Sequence, residues 1–353
     1  AVVALAAQSD TESTAPPGAA STLFRFFAEE LFLATAASLQ EQLISLALLP
    51  TLAQPFVDTA LDTDAQALID EAVDSGLATL GPTSAELHPL VREYLLSKLR
   101  GRDDAESRVA GAFRLALDGE FWDHAFELIE RFAATELLDE LLERSFKPLL
   151  STGRIATLDR IAHYAHTAGA DTSPLVGLVD AELAFRDGLF AQAGSLATRC
   201  ATLLAPTHAY ASHAWWLAGM GAELAFDDEI AVQRFALARE YASAEDDVRD
   251  ALWGLVMTAC QSEHNDSPAL DEVIARQDRS SVDLVRATTA SLHAWRSGLT
   301  NSAPNPEIAL HSLGAIDDPR VRTSFLNQFA YHLILRGSYS RAEEIATSFS
   351  EVV

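Results

Sequence analysis

The chain has 353 residues, of which 49% are hydrophobic, and its 51 acidic and 25 basic side chains give a formal net charge of −26. This length predicts two or more domains. The negative charge argues against binding to nucleic-acid phosphates or to an anionic membrane surface, because both need clustered lysine and arginine. The sequence starts without methionine and ends on Glu-Val-Val, which predicts a piece of a longer protein.

Residues 1–22 combine a short apolar run, AVVALAA, with a polar stretch that contains Pro-Pro-Gly and is typical of a flexible linker. The apolar run is shorter than a signal-peptide core and has no basic flank, so we expect no targeting segment. The longest apolar stretch, LISLALLPTLAQPFV, is too short to cross a membrane. Cys200 and Cys260 lie outside any CxxC motif and are expected to be buried apolar residues, which fits a reducing cytoplasm.

Residues 23–101 have the element order of a winged-helix domain. Helical spacing of apolar residues predicts one helix in LFRFFAEELF and a second in SLQEQLISLALL, with Ser38 and Glu41 as a capping box. Two more helices follow, and the second ends at Gly76. The segments LATLG and AELH predict a two-stranded wing, and Pro89 is favoured in the first turn of the last helix.

The winged-helix segment is acidic. Between residues 23 and 100, four basic side chains stand against eleven acidic ones. A winged helix that reads DNA needs a basic recognition helix, so this segment is expected to pack within the protein instead.

Residues 102–353 predict a superhelix of tetratricopeptide-like repeats, which makes the chain all-α apart from the wing. Amphipathic, alanine-rich segments alternate with short breaks. Glycines stand just before several of these segments: Gly119, Gly153, Gly188 and Gly337. An alanine follows five or six residues after three of them: Ala125, Ala193 and Ala342. The first two glycine intervals, 34 and 35 residues, match the tetratricopeptide period and predict six or seven helical hairpins with a concave face.

No catalytic motif is present, since the chain contains no GxSxG, HExxH, GxGxxG or GxxxxGK[S/T]. An all-α enzyme is therefore poorly supported. Asp159, His163 and His166 share one face of a predicted helix at a spacing that metal ligands use. A solvated polar stripe is the simpler interpretation, and we predict no metal site.

Paired acids begin two of the predicted helices, Asp227-Asp228 and Asp246-Asp247. Carboxylates at helix N-termini accept hydrogen bonds from unpaired N–H groups and complement the helix dipole. We expect this capping role and no catalytic carboxylate pair.

Trp215 and Trp216 are candidates for a ligand or partner groove. Neighbouring residues on a helix point about 100° apart, so the two indoles cannot both face inward. One of them could line the concave face and stack on a ligand or peptide. Core packing is the alternative for each, as it is for Trp253 and Trp295.

A family resemblance extends over most of the chain. LFRFFAEELF, SLQEQLISLALLPTL, LIDEAVDSGLATL and ELHPLVREYLLSKL resemble the region after the nucleotide-binding domain in MalT-like ATP-dependent regulators. These regulators are the large LuxR-type members of the signal-transduction ATPases with numerous domains (STAND). WDHAFELIERFAATELLDELLE resembles the start of that family's helical-repeat sensor, and AVVALAA resembles the last helix of its ATPase module. The resemblance is moderately specific over residues 23–100 and generic after residue 240.

The resemblance implies an ATPase module, a winged helix, a repeat superhelix and usually a DNA-binding helix-turn-helix. It implies that ADP holds a closed monomer, and that an inducer with ATP opens it to self-associate. His88, in Leu-His-Pro-Leu, matches the sensor histidine that reaches the β-phosphate in related ATPases. An imidazole at a helix N-terminus suits an anion. The alternative is that His88 only caps the wing through backbone hydrogen bonds.

These observations predict a non-catalytic regulatory fragment of an ATP-dependent transcriptional regulator. Its superhelix would bind an inducer or partner, and its winged helix would relay the nucleotide state of an upstream ATPase module. ATP or ADP would bind to the longer parent, because this chain has no P-loop and needs no cofactor of its own. The alternative is a tetratricopeptide-type interaction scaffold without a nucleotide switch.

Overall fold

The computed structural model describes residues 29–30, 32–61, 65–81, 85–261, 267–301, 304–316 and 318–350. The chain divides into two compact units, residues 1–148 (unit 1) and residues 149–353 (unit 2). The prediction for residues 1–22 lies outside the described residues.

The first predicted helix, LFRFFAEELF, lies largely outside the described residues. The rest of the predicted winged-helix order is present in unit 1. Its elements are α1 (Ala37–Leu46), α2 (Gln54–Leu61), α3 (Ala65–Asp74), β1 (Ala78–Leu80), β2 (Ala85–Leu87) and α4 (Pro89–Leu99). The two strands pair antiparallel with Thr79 opposite Glu86. As expected, α3 ends before Gly76, whose φ of +72° is accessible to glycine without steric cost, and Pro89 opens α4.

The predicted capping box at Ser38 and Glu41 is wrong. The N-cap of α1 is Ala36, which makes no side-chain cap hydrogen bond, so Ser38 lies inside the helix. The Glu41 carboxylate instead accepts hydrogen bonds from Arg102 at 2.7 and 3.0 Å and from Arg108 at 2.8 Å. Charge-assisted, bidentate bonds of this kind are stronger than a neutral cap, so the tertiary contact decides where Glu41 points.

Unit 1 continues with the first repeat helices. They are α5 (Ala105–Asp118), α6 (Trp122–Phe132), a 3₁₀ turn at Thr135–Leu137 and α7 (Leu138–Ser151). Phe113, Phe126 and Phe146 are fully buried and form much of the apolar packing here. The boundary between the two compact units falls inside α7, after Pro148, a residue that cannot donate a helical hydrogen bond.

Unit 2 contains helices that follow one another in pairs. They are α8 (Ile155–Thr167), α9 (Pro174–Arg186), α10 (Phe190–Leu203), α11 (Ala211–Leu224), α12 (Asp228–Glu240), α13 (Glu245–Gln261), α14 (Pro268–Ala275), α15 (Ser281–Ser297), α16 (Glu307–Ser312), α17 (Pro319–Leu335) and α18 (Tyr339–Ser350). From α9 onward, each first helix packs on its own second helix and on the first helix of the next pair. Counted from α5, the described residues form seven successive pairs, which confirms the predicted helical repeat. The alanines predicted to follow the turns are buried: Ala125, Ala193 and Ala342.

The turn inside a helix pair repeats one backbone geometry. Six such turns contain one residue in the left-handed region: Glu120, Gly153, Gly188, Phe226, Gly298 and Gly337. Gly119 itself has an ordinary φ of −90°, so in the first pair the following glutamate takes that role. A left-handed conformation costs a residue with a Cβ about 1–2 kcal/mol. Phe226 is therefore the least expected of the six, and it is 92% exposed.

Candidate functional site

His88 is the N-cap of α4 and is half-buried. Its Nδ1 accepts a hydrogen bond from the Leu90 N–H at 3.3 Å, and its own backbone N–H donates to the Leu77 carbonyl at 3.3 Å. With Nδ1 as acceptor, the neutral ring carries its proton on Nε2, the nitrogen that would donate to a phosphate. The capping bond therefore fits either role of His88, and the sensor role stays a prediction.

Three basic side chains of the winged-helix segment, Arg92, Lys98 and Arg100, are engaged in contacts inside unit 1, and the fourth, Arg25, lies outside the described residues. Arg92 donates to the carbonyl of Ala47 at 3.0 Å and to Glu127 at 3.4 Å. Lys98 forms an ion pair with Glu29 at 3.3 Å. Cations that are already paired with acids or backbone carbonyls cannot also neutralise phosphates, so these contacts favour the intramolecular packing role predicted for the segment.

The carboxylate of Glu127 joins the winged-helix segment to α6. Its pKa is lowered to about 2, first by the hydrogen bond from His124, and then by the charges of Arg92 and Arg131. The imidazole of His124 also contacts the carbonyl of Leu48 at 2.8 Å. Glu127, Arg92 and His124 thus connect α4, α6 and the two residues that follow α1 in a single polar junction.

Polar pairs link successive first helices of unit 2, and the sequence analysis missed them. They are Glu182–His213 at 2.8 Å, Glu223–Gln261 at 3.1 Å, Arg249–Asp283 at 2.8 Å and Asp250–Arg286 at 2.7 Å. The partners are 31 to 38 residues apart, which is close to one repeat length. Complementary polar residues spaced by about one repeat length are the sequence signal that could have predicted these pairs.

The two adjacent tryptophans on α11 are both half-buried. Trp216 packs against the cluster formed by Ala222, Ala231 and Phe235, and its ring lies 5.5 Å from the ring of His213. The indole Nε1 atoms of Trp215 and Trp216 are buried and have no acceptor among the described residues. Trp216 thus contributes to the core, and the groove role of the pair stays a prediction.

The other predicted residues occupy ordinary structural positions. Asp159, His163 and His166 are exposed, and His166 pairs with Asp180 at 3.1 Å. That hydrogen bond is the main reason why the pKa of His166 is raised. In the described parts of the chain, no group of three or more histidine, cysteine or acidic residues is placed to hold a metal ion. Within the same residues, no helix is long and apolar enough to span a membrane.

Both cysteines are free, with Cys200 buried and Cys260 half-buried. Burial raises the pKa of the Cys200 thiol to about 11, so this sulfur stays protonated and unreactive at neutral pH. Burial also raises the pKa of Cys260. The prediction that both act as buried apolar residues holds fully for Cys200 and in part for Cys260.

A cleft of about 420 Å³ lies between α10, α12 and the C-terminal end of α11. Most of its walls are small or hydroxyl-bearing residues: Ala191, Gly194, Ser195, Thr198, Thr202, Gly221, Ala222 and Ala225. The cleft depends on a close approach of two helices, since a Cβ added to Gly221 would lie 2.7 Å from the Cα of Gly194. Its volume falls in the range of small-molecule sites, about 300–1,000 Å³.

Two arginines and one aspartate also line this cleft. Arg234 is half-buried and donates from Nη1 to the Ala218 carbonyl at 3.1 Å, and burial lowers its pKa. Arg199 is exposed. Among the described residues, neither arginine forms a salt bridge with an acid. Asp227 is the N-cap of α12 and accepts from the Ile230 N–H at 3.3 Å, which confirms its predicted capping role.

Comparison with known proteins places the fold. No family model matches the sequence, and no curated protein matches it either. One solved structure is similar, a STAND protein with a tetratricopeptide repeat sensor from Pyrococcus horikoshii. Its TM-score is 0.65 at 14% identity, and the match covers 97% of this chain and 54% of that one. This chain shares the fold of a STAND protein. The present chain spans about half the length of the Pyrococcus horikoshii protein. At 14% identity, the similarity shows a shared fold and nothing further.

Proposed function

We propose that this chain is the regulatory part of a STAND ATPase, in which the repeat helices bind an effector and the winged helix relays the nucleotide state. The observation that carries the proposal is the shared fold with a STAND protein that has a tetratricopeptide repeat sensor, over 97% of this chain. In this view the chain itself is non-catalytic, and ATP or ADP binds to an ATPase module elsewhere in a longer protein.

The polar junction in unit 1 supports a relay. Glu41 binds Arg102 and Arg108, and Glu127 binds Arg92, so the winged-helix segment and the first repeat pair are connected by directional charge pairs. Packed elements with such contacts move as units, and a displacement of one element then changes the other. Effector and nucleotide would influence each other only if each binds the two conformations with different affinity.

The finer part of the proposal is a MalT-like transcriptional regulator of the cytoplasm that self-associates on activation. The resemblance of the winged-helix segments to that family supports it, as does the position of His88 at the N-terminus of α4. In the longer protein His88 would donate to the β-phosphate of bound ADP and so report whether the γ-phosphate is present. The effector would be a small molecule, a peptide or a protein on the repeat helices.

Two His88 variants in the longer protein test this proposal. His88→Asn keeps a good N-cap for α4 but removes the imidazole, whereas His88→Ala removes both. If His88 senses the nucleotide, both variants should bind ADP at least tenfold more weakly, while only His88→Ala should lose thermal stability. Binding of a fluorescent ADP and thermal unfolding are the measurements. If His88→Asn binds ADP like the wild type, the sensor role is wrong.

The interaction scaffold is the second candidate, since stacked helix pairs offer a binding surface without any nucleotide switch. The coding sequence on the 5′ side of Ala1 separates the two. A GxxxxGK[S/T] motif within about 300 residues, the reach of one nucleotide-binding domain, supports the switch. A complete reading frame without that motif supports the scaffold.

A further inference from the structure

The cleft between α10, α11 and α12 differs from the rest of this acidic chain in its charge. Two arginines reach it, Arg199 and Arg234, and neither forms a salt bridge with an acid among the described residues. The one carboxylate in the lining belongs to Asp227, which is the N-cap of α12 and whose charge acts on Arg234, so the two guanidinium groups outnumber it. The polar chemistry that the cleft offers is therefore that of guanidinium groups and the hydroxyls of Ser195 and Thr198.

One residue beside the cleft is both exposed and strained. Phe226 lies between two lining residues, Ala225 and Asp227, and is 92% exposed. Its φ of +64° is the left-handed conformation that glycine occupies in four other turns of the repeat. A glycine here would remove both the strain and the exposed ring. Strain and exposure at one residue beside a cleft point to a role in binding.

Two more exposed apolar residues lie within four positions of Phe226 in the chain. Ile230, which lines the cleft, is 37% exposed, and Leu224 is 40% exposed. Two guanidinium groups thus line a cleft that lies beside an exposed phenyl ring and exposed aliphatic side chains. Guanidinium groups bind carboxylates and phosphates in bidentate geometry, and an exposed phenyl ring binds flat apolar groups.

We propose that this cleft binds a small organic acid. Its carboxylate or phosphate is held by Arg199 and Arg234, and its apolar part packs against Phe226 and Ile230. The inference rests on the proposed regulatory function, because it names the chemical class of the effector. It places the effector between the third and fourth helix pairs, counted from α5. It differs from the groove predicted at Trp215.

Ligand-observed NMR titration of the 353-residue chain tests the assignment with four probes: benzoate, phenyl phosphate, inorganic phosphate and benzyl alcohol. Both aromatic acids should bind at least tenfold more tightly than inorganic phosphate or the neutral alcohol. The ratio of the affinities of benzoate and phenyl phosphate shows which anion the arginines prefer. If none of the probes binds, or if benzyl alcohol binds as well as benzoate, the assignment is wrong.

Variants separate binding from folding. Arg199→Gln and Arg234→Gln should each weaken acid binding about tenfold, and Arg160→Gln, an exposed arginine outside the cleft, should not. Phe226→Gly should raise the Tm and weaken binding. Its matched control is Glu120→Gly, which relieves the same backbone conformation in another turn and should raise the Tm without affecting binding.

Equal binding by all of these variants would overturn the proposal. Failure here leaves the proposed regulatory function standing, because the His88 experiment tests that function without reference to the cleft. Conversely, if the chain binds these acids but His88→Asn binds ADP like the wild type, the cleft assignment stands and the nucleotide relay is wrong.

Discussion

Replacing Glu223 by glutamine should stabilise unit 2 at pH 8 and have no effect at pH 4. Glu223 lies at the C-terminal end of α11 and is only 6% exposed. Burial, together with the nearby charge of Asp228, raises the pKa of its carboxyl to about 7. The side chain of Gln261 donates to Oε1 at 3.1 Å, and a glutamine at position 223 keeps that acceptor.

The size and the sign follow from linkage. The pKa of Glu223 rises from the ordinary 4.5 to about 7, and each pKa unit is worth roughly 1.4 kcal/mol, so the shift corresponds to about 3 kcal/mol of folding free energy. A carboxyl with a raised pKa binds its proton more tightly in the folded state. Its contribution to stability is complete below pH 4.5 and is lost as the pH rises through 7. The neutral variant avoids that loss, so its advantage at pH 8 should be about 2–3 kcal/mol once the burial of its own amide is counted.

Urea unfolding at pH 4, 6 and 8, followed by tryptophan fluorescence, measures the difference. Four of the five tryptophans lie in unit 2, so the signal reports mainly on that unit. Glu229→Gln, at an exposed position on α12, is the control for a general loss of negative charge. The reasoning would be refuted by equal stability of Glu223→Gln and wild type at pH 8, or by the same gain at pH 4.

Further expectations concern packing and charge. Gly221→Ala should destabilise unit 2 by about 1–3 kcal/mol, because its Cβ would meet backbone atoms of α10 at 2.7 Å. Gly111→Ala, where the added Cβ meets nothing within 4 Å, should stabilise unit 1 by about 1 kcal/mol. Urea unfolding in which the two variants both gain stability, or both lose it, would contradict this. Asp283→Asn should cost about 3 kcal/mol, because it removes the charge partner of a largely buried arginine on α13. A loss below 1 kcal/mol in the same assay would show that solvent already screens that pair. Unit 1 should lose stability as the pH falls from about 4.5 to about 2, because the pKa of Glu127 is lowered when unit 1 is folded. Glu127→Gln should flatten that dependence in an acid titration followed by circular dichroism, and an unchanged titration would exclude the junction as its cause.

Local signals in the sequence determined most of the secondary structure. Pro89 opens α4 and Gly76 follows the end of α3, because fixed or permissive φ values act within one turn of the chain. The glycines at 153, 188 and 337 mark turns for the same reason. Helical periodicity, repeated at the tetratricopeptide interval, was enough to predict stacked helix pairs, and the short segments LATLG and AELH predicted the two-stranded wing.

Tertiary structure alone decided the features with chemical consequences. Glu41 has the spacing of a capping partner, yet it binds two arginines more than 60 residues away. Nothing in the local sequence around Glu223 indicates that its carboxylate is buried. Nor does the local sequence indicate that Phe226 adopts a left-handed backbone conformation, which glycine usually occupies. The cleft between α10 and α12 exists because Gly194 and Gly221 meet across two helices. Burial and long-range pairing depend on which faces meet in space, and that information is absent from any single window of the sequence.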